Sequence, residues 1–121
     1  MARIVLIEDS PTERTVMTKM LANAGHEVLE ADNAEDGIEL VREHLPDVVL
    51  MDVVLPGMSG FQATRALSRD EKTKRIPIII VSTKAMETDK SWGLRQGASA
   101  YMVKPPREDE LLAQINELLV S

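Results

Sequence analysis

The chain of 121 residues contains no cysteine. Disulfide bonds and metal sites built on thiolates are therefore excluded, and the absence fits a reducing compartment. Long apolar runs are also missing, so no segment is expected to insert into a membrane. The short apolar run that follows Met1-Ala2-Arg3 is too brief for a signal peptide. We therefore expect a cytoplasmic protein.

The sequence also lacks an excess of basic residues. It has 14 lysines and arginines against 20 aspartates and glutamates, which gives a net charge of −6. Because nucleic-acid binding requires a basic face, no nucleic-acid partner is expected. The length suits one domain, and no linker, repeat or low-complexity tract interrupts it. We expect residues 1–121 to form a single stand-alone domain without an output domain.

Four short apolar runs stand out, at residues 4–7, 48–51, 78–81 and 101–103. Short runs rich in β-branched residues are typical of strands buried on both faces of a parallel sheet. A polar residue follows each run directly; these residues are Glu8 with Asp9, Asp52, Ser82 and Lys104. In parallel sheets covered by helices, function collects at the carboxyl ends of the strands. The pattern therefore predicts one site built from all four strand ends.

Helical segments separate the strands. Ser10 and Glu13 have the spacing of a capping box, and so do Ser59 and Gln62. In the fourth helix, Met86 and Leu94 mark a predicted buried stripe. Trp92 lies off that stripe, and it is predicted to pack partly on a neighbouring helix or, as the alternative, to contact a partner. Five strands alternating with five helices predict an α/β fold of (βα)5 type with a mostly parallel sheet.

The residues at the strand ends suit phosphoryl chemistry. In the simplest doubly wound order the first and third strands are neighbours, so Glu8, Asp9 and Asp52 should converge. Three carboxylates in one pocket repel each other, and Mg²⁺ is the divalent cation that prefers such oxygen ligands. Lys104 would add an ammonium group and Ser82 a hydroxyl group. Together these groups are suited to forming an acyl phosphate on an aspartate.

The chain resembles the response-regulator receiver domains of the CheY type along essentially its whole length. The matching segments are Glu8-Asp9, Met51-Asp52, and residues 56–60, 81–83 and 97–105. The resemblance implies a flavodoxin-like, doubly wound sheet of five parallel strands in the order 2-1-3-4-5. It also implies a phosphoacceptor in a two-component phosphorelay rather than an enzyme.

The resemblance further implies a role for each residue of the site. Asp52 would accept a phosphoryl group from a histidine kinase. Asp9, Asp52 and the main-chain carbonyl of Val54 would bind Mg²⁺, with Glu8 acting through a bound water. Lys104 would pair with the phosphoryl group, and its peptide bond to Pro105 would be cis.

The resemblance also implies how the signal would leave the site. Ser82 would move toward the phosphoryl group, and Tyr101 would change rotamer to report that movement on the face formed by the fourth helix, fifth strand and fifth helix. Val54 and Lys84 occupy positions that flank the attacking water. Because an aliphatic Val54 cannot orient water, self-dephosphorylation is predicted to be slow.

Residues 60–65 and 83–93 resemble a chemotaxis-type regulator of twitching motility by type IV pili. Three roles stay open: a monomeric effector with an unidentified target, a phosphate sink, and a phosphorelay intermediate. Two other classes are remote. A flavodoxin-like electron carrier needs a phosphate-cradling loop where Glu8-Asp9 stands, and an aspartate-nucleophile phosphatase needs a second aspartate two residues after a nucleophile at the first strand.

Overall fold

The computed structural model describes residues 1–120. Five strands alternate with five helices, which confirms the predicted (βα)5 pattern. Their bounds are β1 Arg3–Ile7, α1 Pro11–Asn23, β2 Glu27–Ala31, α2 Ala34–His44, β3 Val48–Met51, α3 Gly60–Arg69, β4 Ile78–Ser82, α4 Glu87–Arg95, β5 Ala100–Val103 and α5 Glu108–Leu119. Within this range, none of the helices combines the length and apolar character that a membrane span requires.

All strand pairs are parallel, and the order across the sheet is β2-β1-β3-β4-β5. The predicted order 2-1-3-4-5 is therefore confirmed. The pairing of β1 with β3 continues past the ends of both strands, since the amide of Asp52 donates to the carbonyl of Ile7 at 3.0 Å. This register brings the residues that follow β1 and β3 side by side.

Two apolar layers cover the sheet. Residues Val5, Ile7, Val49 and Met51 face one layer, which α2 and α3 close. The alternate residues of the same strands face the other layer, which α1 and α5 close. The apolar residues of β1, β3 and β4 are thus buried on both faces, as predicted. For β5 that prediction is wrong: it is an edge strand, its residues are half-buried, and Val103 is 37% exposed.

The two predicted capping boxes have different outcomes. At α3 the box is complete, because the Ser59 hydroxyl accepts from the amide of Gln62 at 3.2 Å and the Gln62 side chain accepts from the amide of Ser59 at 2.9 Å. At α1 the Ser10 hydroxyl accepts from the amide of Glu13 at 3.3 Å. The reciprocal half is wrong, since the Ser10 amide donates to a side-chain oxygen of Glu8 at 3.1 Å.

The predicted buried stripe of α4 is also wrong. Met86 and Leu94 are 68% and 50% exposed, and Gly93 is the one buried residue of the helix. A Cβ atom on Gly93 would lie 2.9 Å from side-chain atoms of both Ile80 and Tyr101. The backbone of α4 therefore approaches the sheet closely at Gly93. Trp92 is half-exposed.

Candidate functional site

The site lies where the parallel strands end. Glu8 and Asp9 follow β1, Asp52 follows β3, Ser82 is the last residue of β4, and Lys104 follows β5. Because the strands are parallel and adjacent, their carboxyl ends share one edge of the sheet. The structure thus brings together the residues singled out by the sequence pattern.

Three carboxylates form an acidic cluster at this edge. Glu8, Asp9 and Asp52 each offer one oxygen atom, and these atoms lie within 4.8 Å of one another. Glu8 and Asp52 are buried, whereas Asp9 is exposed. Two oxygens that bind one Mg²⁺ ion directly, each at about 2.1 Å, lie at most roughly 4 Å apart. A spread of up to 4.8 Å therefore suits a Mg²⁺ ion that two of the carboxylates bind directly and the third binds through a water molecule, with the site open to solvent on the Asp9 side.

Lys104 is the cation of the site. Its ammonium nitrogen lies 2.5 Å from Glu8 Oε1, 3.1 Å from Asp52 Oδ2 and 3.2 Å from Glu13 Oε1, and its side chain is only 6% exposed. Burial lowers the pKa of Lys104, but the hydrogen bond to Glu8 and the charge of Asp52 outweigh burial and raise the pKa above its ordinary value. The lysine is therefore charged at neutral pH.

The carboxylate of Asp52 is held at both oxygens. Oδ1 accepts from the amide of Val53 at 2.7 Å, and Oδ2 accepts from Lys104. The carboxylate of Glu8 is held by the Lys104 ammonium group and the Ser10 amide. Burial raises the pKa of Glu8, and these two hydrogen bonds act in the opposite direction. Both side chains are therefore fixed in orientation by hydrogen bonds.

The loop after Asp52 turns back tightly onto the site. The amide of Gly60, the first residue of α3, donates to the carbonyl of Val53 at 2.9 Å. A Cβ atom on Gly60 would lie 1.9 Å from the backbone oxygen of Asp52. Only glycine leaves room for this approach, so Gly60 lets α3 begin directly against the backbone of Asp52.

Ser82 and Tyr101 connect the site to the loop after β4. Ser82 is fully buried, and its hydroxyl oxygen accepts from the amide of Lys84 at 3.3 Å. The carbonyl of Ser82 accepts from the amide of Lys104 at 2.9 Å. The Tyr101 hydroxyl donates to the carbonyl of Lys84 at 2.7 Å. Burial raises the pKa of the Tyr101 hydroxyl, and the negative charge of Asp89 raises it further.

The remaining predicted residues lie at the rim. The side chains of Val54 and Lys84 are exposed beside the strand ends, at the positions predicted to flank an attacking water. The peptide bond between Lys104 and Pro105 is cis, which confirms that prediction.

Glu13 is the site residue that sequence reasoning missed, because it was predicted to cap α1. It lies on the first turn of α1, a few residues after the acidic end of β1, and that closeness in the sequence was the available signal.

Comparison with known proteins supports this description. Residues 4–116 match the family model of the response regulator receiver domain. The chain is 56% identical over 119 residues to Protein PilH of Pseudomonas aeruginosa, and the match covers 98% of each chain.

Two solved structures are similar to this chain in fold. The receiver domain of a sensor histidine kinase from Pseudomonas aeruginosa, solved with magnesium in its active-site cleft, has a TM-score of 0.92 and 30% identity over 99% of this chain and 98% of that one. Chemotaxis protein CheY4 of Vibrio cholerae has a TM-score of 0.91 and 28% identity over 98% and 99% of the two chains. The chain belongs to the response regulator receiver domain family.

Proposed function

We propose that Asp52 accepts a phosphoryl group from a histidine kinase in a Mg²⁺-dependent reaction. One observation carries this proposal: a buried carboxylate at a strand end has an ammonium nitrogen at 3.1 Å and belongs to an acidic cluster. Hydrogen bonds to Val53 and Lys104 fix both carboxylate oxygens, so a nucleophilic oxygen is oriented before the donor arrives.

The acidic cluster would hold the metal. Asp9, Asp52 and the main-chain carbonyl of Val54 would bind Mg²⁺ directly, and Glu8 would bind it through a water molecule. When bound, Mg²⁺ would neutralise charge on the transferring phosphoryl oxygens. The magnesium in the similar kinase receiver domain and the closeness of the three carboxylates support a metal at this cluster.

In the transfer, an oxygen of Asp52 forms a bond to phosphorus while the phosphorus–nitrogen bond of the donor phosphohistidine breaks. The electron pair of that bond stays on the imidazole nitrogen. Lys104 pairs with the phosphoryl oxygens, and the hydroxyl of Ser82 donates a hydrogen bond to one of them. In self-dephosphorylation, water attacks phosphorus between Val54 and Lys84, the bond from phosphorus to the Asp52 oxygen breaks, inorganic phosphate leaves, and the Asp52 carboxylate is regenerated.

The output would leave through Tyr101. The Tyr101 hydroxyl donates to the carbonyl of Lys84, and the amide of Lys84 donates to the hydroxyl oxygen of Ser82. A movement of Ser82 would therefore change the environment of Tyr101. The responding surface would be formed by α4, β5 and α5. A nearly complete switch requires that the phosphoryl group favour the active form by about 5 kcal/mol.

The biological setting we propose is chemotaxis-like control of twitching motility by type IV pili. The support is the 56% identity to PilH over 98% of both chains. We further propose that the receiver domain acts in the cytoplasm as a monomer. Effector, phosphate sink and relay intermediate remain alternatives within this proposal.

The test is incubation with acetyl phosphate and Mg²⁺, followed by intact mass measurement. We expect a phosphoryl adduct on the wild type, none on Asp52→Asn, and none after chelation of Mg²⁺. Asp47→Asn is the matched control. Asp47 is an exposed aspartate directly before β3, and Asp52 comes directly after the same strand. An adduct on Asp52→Asn, or none on the wild type, contradicts the proposal.

A further inference from the structure

We propose that Glu13 is a placeholder for the phosphoryl group: it forms an ion pair with Lys104 in the unphosphorylated protein and gives that ion pair up when Asp52 is phosphorylated. This inference rests on the proposed function of Asp52 and Lys104. The contact that carries it joins the Lys104 ammonium nitrogen to Glu13 Oε1 at 3.2 Å. Nothing in the roles assigned to the strand ends requires a carboxylate from α1 at this place.

The number of donors on Lys104 is the first step. An ammonium group has three N–H donors, and Lys104 lies within ion-pair distance of three carboxylates, those of Glu8, Asp52 and Glu13. In the unphosphorylated protein Lys104 donates to Glu8 and Asp52, and Glu13 is the third carboxylate at ion-pair distance. A phosphoryl group on Asp52 brings several new oxygen acceptors, and Lys104 can bind them more fully if, besides the Asp52 oxygen that they replace, one of the other two carboxylates leaves.

Burial decides which partner leaves. The side chains of Glu8 and Asp52 are 2% and 8% exposed, whereas that of Glu13 is 46% exposed. A half-exposed carboxylate regains water when it leaves an ion pair, so its release costs little. Releasing the buried Glu8 would strand a charge away from water, at a much larger cost. Glu13 is therefore the exchangeable partner.

The local structure leaves Glu13 free to move. Its predicted role in the cap of α1 is taken by Glu8, which accepts from the Ser10 amide. Glu13 also lines a cleft of 210 Å³, mainly apolar, together with Val16, Met20 and Pro105. The end of its side chain can thus swing away from Lys104 without disturbing the helix cap.

Removing the charge of Glu13 should favour phosphorylation for two reasons that act in the same direction. The competitor for Lys104 disappears, and an anionic phosphodonor meets one negative charge fewer at the site. Because exposed ion pairs contribute little, we expect Glu13→Gln to be phosphorylated by acetyl phosphate roughly twofold to fivefold faster than the wild type at saturating Mg²⁺. Glu13→Ala should show the same increase, which separates loss of the carboxylate from any contact made by the new amide.

The matched control is Glu43→Gln, which makes the same change in net charge at an exposed position of α2. Two readouts are compared: the rate of adduct formation by intact mass, and the ¹⁵N ammonium signal of Lys104 in metal-free, lysine-labelled protein. We expect Glu13→Gln to increase the rate and shift the Lys104 signal, and Glu43→Gln to leave both at wild-type values.

The outcomes separate this inference from the proposed function. If wild type and variants are all phosphorylated at one rate, or if Glu13→Gln is slower, the placeholder role of Glu13 is wrong while phosphorylation of Asp52 stands. If the wild type takes up no phosphoryl group, the proposed function fails and the inference fails with it. An unshifted Lys104 signal in Glu13→Gln also overturns the inference, because the contact would then be absent in solution.

Discussion

The strand-end site and α4 are held in place in very different ways. All four residues of β3 are fully buried, and the Asp52 carboxylate that follows them is hydrogen-bonded at both oxygens. In α4 only Gly93 is buried, and Trp92 and Leu94 are each about half-exposed. The reacting groups therefore stand on the rigid centre of the sheet, while the surface proposed to respond is attached by few buried side chains.

This difference has a physical consequence for signalling. Segments with little buried apolar surface open or shift at a small free-energy cost, whereas core strands move only with global unfolding. A group-transfer site needs fixed geometry, and a switching surface needs a second conformation of similar free energy. The molecule separates these requirements between β3 and α4, and Tyr101, half-buried on the edge strand β5, lies against α4 at Gly93.

The largest expected effect compares two leucines. Leu50 in β3 is fully buried and Leu94 in α4 is 50% exposed. We expect Leu50→Ala to lower the free energy of unfolding by about 3 kcal/mol, because it leaves a cavity in the core. Leu94→Ala should change it by less than about 1 kcal/mol. Chemical denaturation of both variants measures this, and equal losses would contradict the contrast between the regions.

The next effect concerns the rim of the site. Val54 is 55% exposed and has no group that could orient water. One added hydrogen bond to the attacking water should make Val54→Asn lose its phosphoryl group roughly threefold to tenfold faster than the wild type. The decay of the adduct is followed by intact mass after acetyl phosphate is removed. Val54→Ala, which adds no amide, should keep the wild-type lifetime of the phosphoryl adduct. An unchanged lifetime in Val54→Asn would contradict the proposed effect of Val54 on hydrolysis.

The smallest change in stability is expected at Gly93. Alanine in a helix interior is favoured over glycine by up to about 1 kcal/mol, and the new Cβ would press on the end of the Ile80 side chain and on the edge of the Tyr101 ring. We expect Gly93→Ala to keep the free energy of unfolding within about 1 kcal/mol of the wild type while displacing the Tyr101 ring toward solvent.

Tyr101 is the only tyrosine, so one ¹⁹F resonance of fluorotyrosine-labelled protein reports its position. Ser91→Ala, at an exposed position of the same helix, is the control and should leave the resonance in place. If the resonance does not move in Gly93→Ala, the new Cβ displaces α4 and not the Tyr101 ring, and the prediction is wrong.

The alternation of strands and helices and most of the site could be predicted because both depend on local patterns, whereas the strand order 2-1-3-4-5 was implied by the resemblance to receiver domains. Buried strands read as apolar runs, and a parallel sheet collects their ends at one edge, so the positions of Asp9, Asp52 and Lys104 followed directly. The contact of Glu13 could not be predicted in this way. A glutamate at the third position of a helix suits either a cap or an ion pair, and the choice depends on Lys104, which is distant in sequence.

The error at α4 has a similar origin. Periodicity indicates which apolar residues share a face of a helix, but not whether another element covers that face. Met86 and Leu94 are exposed because α4 meets the sheet at Gly93, a residue with no side chain and so no apolar signal.

The most direct test of the account is amide hydrogen exchange with and without Mg²⁺ and a beryllium fluoride complex, which mimics the phosphoryl group on an aspartate. We expect exchange to change in residues 84–103 of the wild type, to stay unchanged in residues 48–51, and to stay unchanged throughout in Asp52→Asn. A wild type without any change in residues 84–103, or an equal change in Asp52→Asn, would contradict a switch that is set at Asp52 and expressed at α4 and β5.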